Sequence, residues 1–151
     1  MKAIATVLSN NILFRGKKEN IKITPMKLQK LLYYVCVKYV KETGEMPISE
    51  RFEVWQYGPV LPSVYETFRK FGSNPITKYS KDASGYSYLV SESKNPILKE
   101  TIDIIWGKYK RKTGIELSKM THQPNSGWYR AFMEHREQIT DEDMKNDKTD
   151  L

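Results

Sequence analysis

The sequence predicts a mainly α (α+β) fold: a compact helical domain around one central buried helix, with a small antiparallel β-element. Three observations carry this expectation. Thr24-Pro25 supplies an N-cap and a proline at the first helical position, and Leu28, Leu31, Leu32, Val35, Cys36, Tyr39 and Val40 follow at spacings of three and four. That is the pattern of a buried helical stripe, and Gly44 closes it because glycine takes the left-handed conformation freely. Residues 51–57 alternate, Phe52 and Val54 facing one way and Glu53, Trp55 and Tyr57 the other, as in a short strand. Asn95-Pro96 repeats the cap-plus-proline signal and opens a helix to about Lys112, with Leu98, Ile102, Ile105 and Tyr109 in register.

The remaining elements follow from shorter signals. Residues 3–14 place Ile4, Val7, Leu8 and Ile12 on one face of an amphipathic helix, and residues 15–20 read as a polar loop. Gly58-Pro59 reads as a turn, and Pro62-Ser63 opens a short helix through Val64, Tyr65, Phe68 and Phe71 that Gly72 ends. Ile76–Ser80 and Tyr86–Ser91 read as two strands joined by a turn at residues 81–85. Gly107, inside a helix, suggests the close approach of another backbone, since glycine there costs about 1 kcal/mol relative to alanine. Short helices are expected near Leu117–Thr121 and Trp128–Glu134, and Thr140 with Asp143 matches a capping box for a last turn. With no internal repeat or linker, the chain reads as one domain over residues 1–135 and a polar, acidic C-terminal tail over 136–151, expected to be dispensable for folding from about Asp141.

Composition narrows the function classes. A 151-residue chain with 39% hydrophobic and 28% charged residues suits one ordinary globular domain. No apolar run approaches the ~20 residues of a membrane helix, so no membrane partner is expected. The first eight residues carry a short apolar patch that turns polar at Ser9-Asn10-Asn11, unlike a secretory leader. The single cysteine suits a reducing compartment, and the chain reads as cytoplasmic. The net charge of +7 is uneven: from Glu134 onward seven acids face three bases, a balance of −4 that leaves the preceding residues at +11. A basic body of this kind attracts acidic partners, protein or nucleic acid, while its blander reading is a set of solvated lysine-rich helix faces.

Catalytic, cofactor and metal sites find no support in the pattern, and none is expected. His122 and His135 lie thirteen positions apart without the spacing of a zinc site. Cys36 sits between Val35 and Val37 in the buried stripe, where a thiol behaves as a small hydrophobe. Gly16-Lys17-Lys18 lacks the upstream glycine of a phosphate-binding loop, Asn11 standing in its place, and neither a nucleophile elbow nor a dinucleotide-binding glycine turn occurs. Binding has better support. Trp55, Tyr57, Tyr65, Phe68 and Phe71 crowd around Gly58-Pro59, and Trp128-Tyr129 follows a loop holding His122, Pro124 and Gly127. These rings either pack a small β-element onto the core helix or stay partly exposed as anchors for a protein partner.

The run from Ile23 to Tyr34, Ile-Thr-Pro-Met-Lys-Leu-Gln-Lys-Leu-Leu-Tyr-Tyr, resembles the opening of the Panacea domain. This domain is known from SocA-type antitoxins and phage-associated proteins. The block Phe52 to Val60, followed by Val64-Tyr65, is similar to the family's Trp-x-x-Gly-Pro-Val signature. A third block, Leu117-Ser118 with Thr121-His122 and Trp128, departs from the pattern in having Gly127 where a proline precedes the tryptophan. The resemblance covers roughly residues 4–135. It implies an antitoxin that neutralises a cognate protein toxin by direct contact, the toxin being encoded by the adjacent gene, and an adaptor role toward a bacterial protease. Partner-binding residues are expected at Trp55, Tyr57, Gly58, Pro59 and Tyr65, with His122 and Trp128 from the third block. The alternative is a phage-associated nucleic-acid-binding regulator, suggested by interspersed lysines and aromatics.

Overall fold

The computed structural model describes residues 2–150; Met1 and Leu151, which fall within the two expected segments, lie outside the described residues. In chain order the elements are α1 (Ala5–Glu19), α2 (Pro25–Thr43), β1 (Glu53–Trp55), β2 (Gly58–Val60), α3 (Pro62–Phe68) with a 3-10 turn at Arg69–Phe71, α4 (Pro96–Tyr109), α5 (Gly114–Thr121), α6 (Gly127–Met133) and α7 (Asp141–Lys145). The fold is mainly helical with one two-stranded antiparallel sheet, as the sequence predicts.

The centre is α2. The Thr24 side chain accepts from the Lys27 amide, Pro25 starts the helix, and Gly44 closes it at φ 83°. Leu28, Leu32, Tyr33, Tyr34, Cys36, Val37 and Val40 are fully buried, because α1, α3, α4, α5, α7 and β2 all pack against this helix. A helix enclosed on so many sides is a core element in itself. Burial also pushes the Cys36 thiol well above its ordinary range, so the thiolate is disfavoured.

Several elements differ from the expectation. The polar run 15–20 belongs largely to α1, which continues to Glu19 and ends on Asn20 at φ 56°. Its buried face is Ala5, Leu8, Ile12 and Leu13, while Ile4 is 60% exposed. Gly58 and Pro59 form β2 rather than a turn; Trp55 pairs with Gly58, leaving Gln56 and Tyr57 as the two-residue connection. Residues 76–91 contain the expected turn, where the Asp82 carboxylate accepts from the Ser84 and Tyr86 amides, but form no strands. Their backbone is satisfied by α1. Asn10 pairs with Ser80 and Tyr88, and Asn11 donates to the Val90 carbonyl at 2.9 Å and accepts from its amide at 2.8 Å. A carboxamide offers the same donor and acceptor as a peptide unit, so two buried asparagines replace a ladder. At Gly107 an added Cβ would meet nothing within 4 Å, so no backbone approaches there.

The C-terminal segment is built into the domain. Val54 donates to the Glu137 carbonyl and Ile139 to the Phe52 carbonyl, so residues 137–139 run along β1. Thr140 and Asp143 form the expected capping box. Ile139 and Met144 join the core, and Asp147 is 0% exposed. The Asp147 carboxylate accepts from the Tyr33 hydroxyl at 2.6 Å and the Gly127 amide at 2.8 Å, and Lys41 donates to its carbonyl. Arg136 grips Asp143 through both guanidinium nitrogens at 2.7 and 2.8 Å, holding that carboxyl below its usual range against the opposing effect of burial.

Truncation after Thr140 therefore strips the core of Met144 and leaves the buried Tyr33 hydroxyl without its acceptor. Losing one buried methionine side chain costs about 2–5 kcal/mol. The melting temperature should fall by at least about 5 °C, read by circular dichroism. An unchanged melting temperature would show that the segment is dispensable.

Candidate functional site

The seven residues singled out in the sequence come together around the β1–β2 hairpin, in two different roles. Three consecutive carbonyls at its tip are each bound by a side chain from α5 or from α6 and its approach. Trp128 Nε1 donates to the Trp55 carbonyl at 2.8 Å, His122 Nε2 to the Gln56 carbonyl at 2.7 Å, and Ser118 Oγ to the Tyr57 carbonyl at 2.8 Å. His122 Nδ1 lies 2.6 Å from the Ser118 carbonyl. The His122 and Trp128 rings are in contact at 4.2 Å between centroids, and Trp128 is 5% exposed. His122 and Trp128 are thus clamps that fix the hairpin.

The other end is held from beneath by α2. Gln29 donates to the Leu61 carbonyl at 3.1 Å and accepts from the Leu61 amide at 2.9 Å. Lys30, 1% exposed, donates to the Pro59 carbonyl at 3.2 Å. Gly58 is required here: it adopts φ 113°, and a Cβ would lie 2.8 Å from Thr121 Oγ1 and 2.9 Å from Lys30 Cε. Gly127 meets a comparable limit, since a Cβ there would come within 2.6 Å of the Tyr33 hydroxyl oxygen. Its amide also donates to Asp147, a bond that a proline at this position could not make.

What remains outward is aromatic. Tyr57 is 62% and Tyr65 40% exposed, with half-buried Trp55 edge-on to Tyr65 at 4.9 Å. Gly58 and Pro59 are buried and shape the surface from below. Beside Tyr57 lies a concavity of about 540 Å³ lined by Met26, Ile115, Ser118, Lys119 and His122. Phe132 stacks on Trp128 at 5.0 Å and adds an exposed ring. Sequence reasoning assigns no site role to Gln29, Lys30, Ile115, Ser118 or Phe132, although Ser118 stands in the third block. The first two have a weak signal, two polar residues inside an apolar helical run.

Residues 28–129 match the family described as Antitoxin SocA-like, Panacea domain. The chain belongs to this family. It is 28% identical over 127 residues to Antitoxin SocA of Caulobacter vibrioides (strain NA1000 / CB15N), covering 82% of this chain and 68% of that protein. No solved structure matches. In this Panacea domain the first signature lies directly against the second, through Gln29 with Leu61 and Lys30 with Pro59. Among the described residues no group of three or more histidines, cysteines or acids is placed to hold a metal, and no helix is long and apolar enough to cross a membrane.

Burial lowers Lys30 to about 7, with no carboxylate to compensate. The unfolded chain holds that proton until about pH 10.4, so it binds more protons than the native state from pH 7 upward. Stability should rise with pH between 7 and 9. Equilibrium urea unfolding of the wild type should show this rise and Lys30→Met should flatten it. Parallel profiles would mean that Lys30 is solvated.

Proposed function

We propose that this Panacea domain is an antitoxin that holds a cognate protein toxin inactive through the outward aromatic face of its hairpin. The toxin is the product of the adjacent gene, and binding takes place in the cytoplasm. The observation that carries the reading is Tyr57. A large aromatic, 62% exposed, sits at the tip of a hairpin whose backbone is fixed at Trp55, Gln56 and Tyr57 by three side-chain donors. Tyrosine and tryptophan are favoured interface anchors, and a pre-ordered loop loses little entropy on binding. Such a surface suits stoichiometric capture rather than turnover, so the chain acts as a binder and not as an enzyme. Delivery of the captured toxin to a bacterial protease fits the same stoichiometric mode.

Co-expression tests this directly. The wild type should rescue growth of bacteria expressing the neighbouring gene product and should co-purify with it. The hydrogen bond that ties Tyr57 to the fold uses its carbonyl, so Tyr57→Ala should keep the helical circular dichroism spectrum. Removing an anchor costs about 2 kcal/mol or more, at least roughly thirtyfold in Kd, and rescue should fail. Full rescue by folded Tyr57→Ala would remove the hairpin from the interface. A harmless neighbour with no co-purifying partner would end the antitoxin reading.

A further inference from the structure

Positive charge is distributed unevenly over this fold. Four acids of the C-terminal segment are already paired: Arg51 reaches Asp141, Arg130 and Arg136 reach Glu134 and Asp143, and Lys108 reaches Asp150. A different face has the opposite character. A concavity of about 300 Å³ is lined by Lys22, Lys110, Arg111 and Lys112. A second, of about 380 Å³, shares Ile21 and Lys22 with it and adds Lys17 and Lys78. No acidic side chain lines either one. Lys110 pairs with Glu19, and Lys17 lies over the Tyr79 ring. Lys22, Lys78, Arg111 and Lys112 make no ion pair with any acid among the described residues.

Two further features define what such a groove accepts. Its second half has an apolar floor, with Leu13, Ile21, Ile23, Ile76 and Tyr79 between the lysines. Its first half adjoins the hairpin concavity: Lys27 and Gly114 line one, while their chain neighbours Met26 and Ile115 line the other beside Tyr57. One basic track therefore runs from Arg111 to Lys78 through the shared Ile21 and Lys22. We propose that this track takes an acidic, amphipathic segment of the bound protein, its carboxylates facing the basic rim and its apolar side chains seated on the Ile21–Tyr79 floor. The proposal rests on the toxin-binding reading and extends its interface beyond the hairpin. A nucleic-acid backbone would satisfy the rim but leave the floor facing phosphates. An acidic protein segment uses both, and the basic rim would speed its encounter.

The test compares two triple charge reversals at exposed positions. K22E/K78E/R111E leaves the groove with four cations against three acids, and K2E/K94E/K145E changes the net charge equally elsewhere. Circular dichroism and melting temperature check that both remain folded. The association rate with the purified neighbouring gene product is followed by stopped flow from 0.05 to 0.5 M NaCl. At low salt the groove variant should associate about 10- to 100-fold more slowly than wild type and lose most of the salt dependence, with the control within about threefold of wild type. Equal slowing of both variants would reduce the effect to net charge and overturn the groove. An unchanged rate in the groove variant overturns it too, with the hairpin reading intact. Loss of binding to a 20-base-pair random duplex, with protein association unchanged, would assign the groove to nucleic acid instead. No complex even with the wild type would remove the toxin-binding reading and the groove with it.

Discussion

Gln29 and Lys30 sit side by side in the buried central helix, and they spend their polar groups on the backbone of β2 and of Leu61, which follows it. A buried polar group without a partner costs roughly 1–3 kcal/mol, so each side chain needs the hairpin as much as the hairpin needs it. The hairpin is too small to stand alone: two strands of three residues are marginal without something to pack on. Its position is set by donors and acceptors from α2 below and by Ser118, His122 and Trp128 from the side. Gly58 follows from the same constraint, because Lys30 and Thr121 occupy the space that a side chain would fill. The Tyr57 ring ends up outside, while the backbone carbonyls of Trp55, Gln56 and Tyr57 are all bound.

This arrangement gives physical content to the family signatures. The Leu-Gln-Lys-Leu-Leu run combines leucines for the core with two polar side chains that read the backbone of the second signature. The Gly-Pro pair within that signature supplies the clearance and an edge position that needs no amide donor from Pro59. The third block closes the clamp, and the C-terminal segment supports it from behind through Asp147, Gly127 and Tyr33. Outward aromatic residues and scaffold residues are therefore interleaved along the chain, and burial separates Tyr57 from Trp128.

Much of this was legible in the sequence. The caps and stripes of α2 and α4 have strong local signals, and the structure realises α2 over the expected residues 25–43. The gathering of Trp55, Tyr57, Tyr65, His122 and Trp128 could be read from motif order, although not which rings face outward. The strands at 76–91 failed for a definite reason. Alternation at Tyr86, Tyr88 and Val90 looks like a strand, but the partner is a pair of helical asparagines, and no local pattern announces that. The packing of the C-terminal segment leaves no local trace, because Ile139 and Met144 make no stripe. Its anchor is the carboxylate of Asp147, a residue type that marks solvent exposure in almost every other setting. Buried polar contacts between distant segments are what a one-dimensional pattern hides, and here they position the site.

Amide hydrogen exchange at Leu61, in the wild type and in Gln29→Met, reads whether Gln29 fixes the backbone leading out of the hairpin. Leu61 is fully buried, and its amide is bound by Gln29 Oε1. Its exchange in the variant should be about 10- to 100-fold faster, the loss of one buried hydrogen bond, while Ile102 and Ile105 in α4 keep their protection. Unchanged protection at Leu61, or an equal loss throughout α4, would contradict that role.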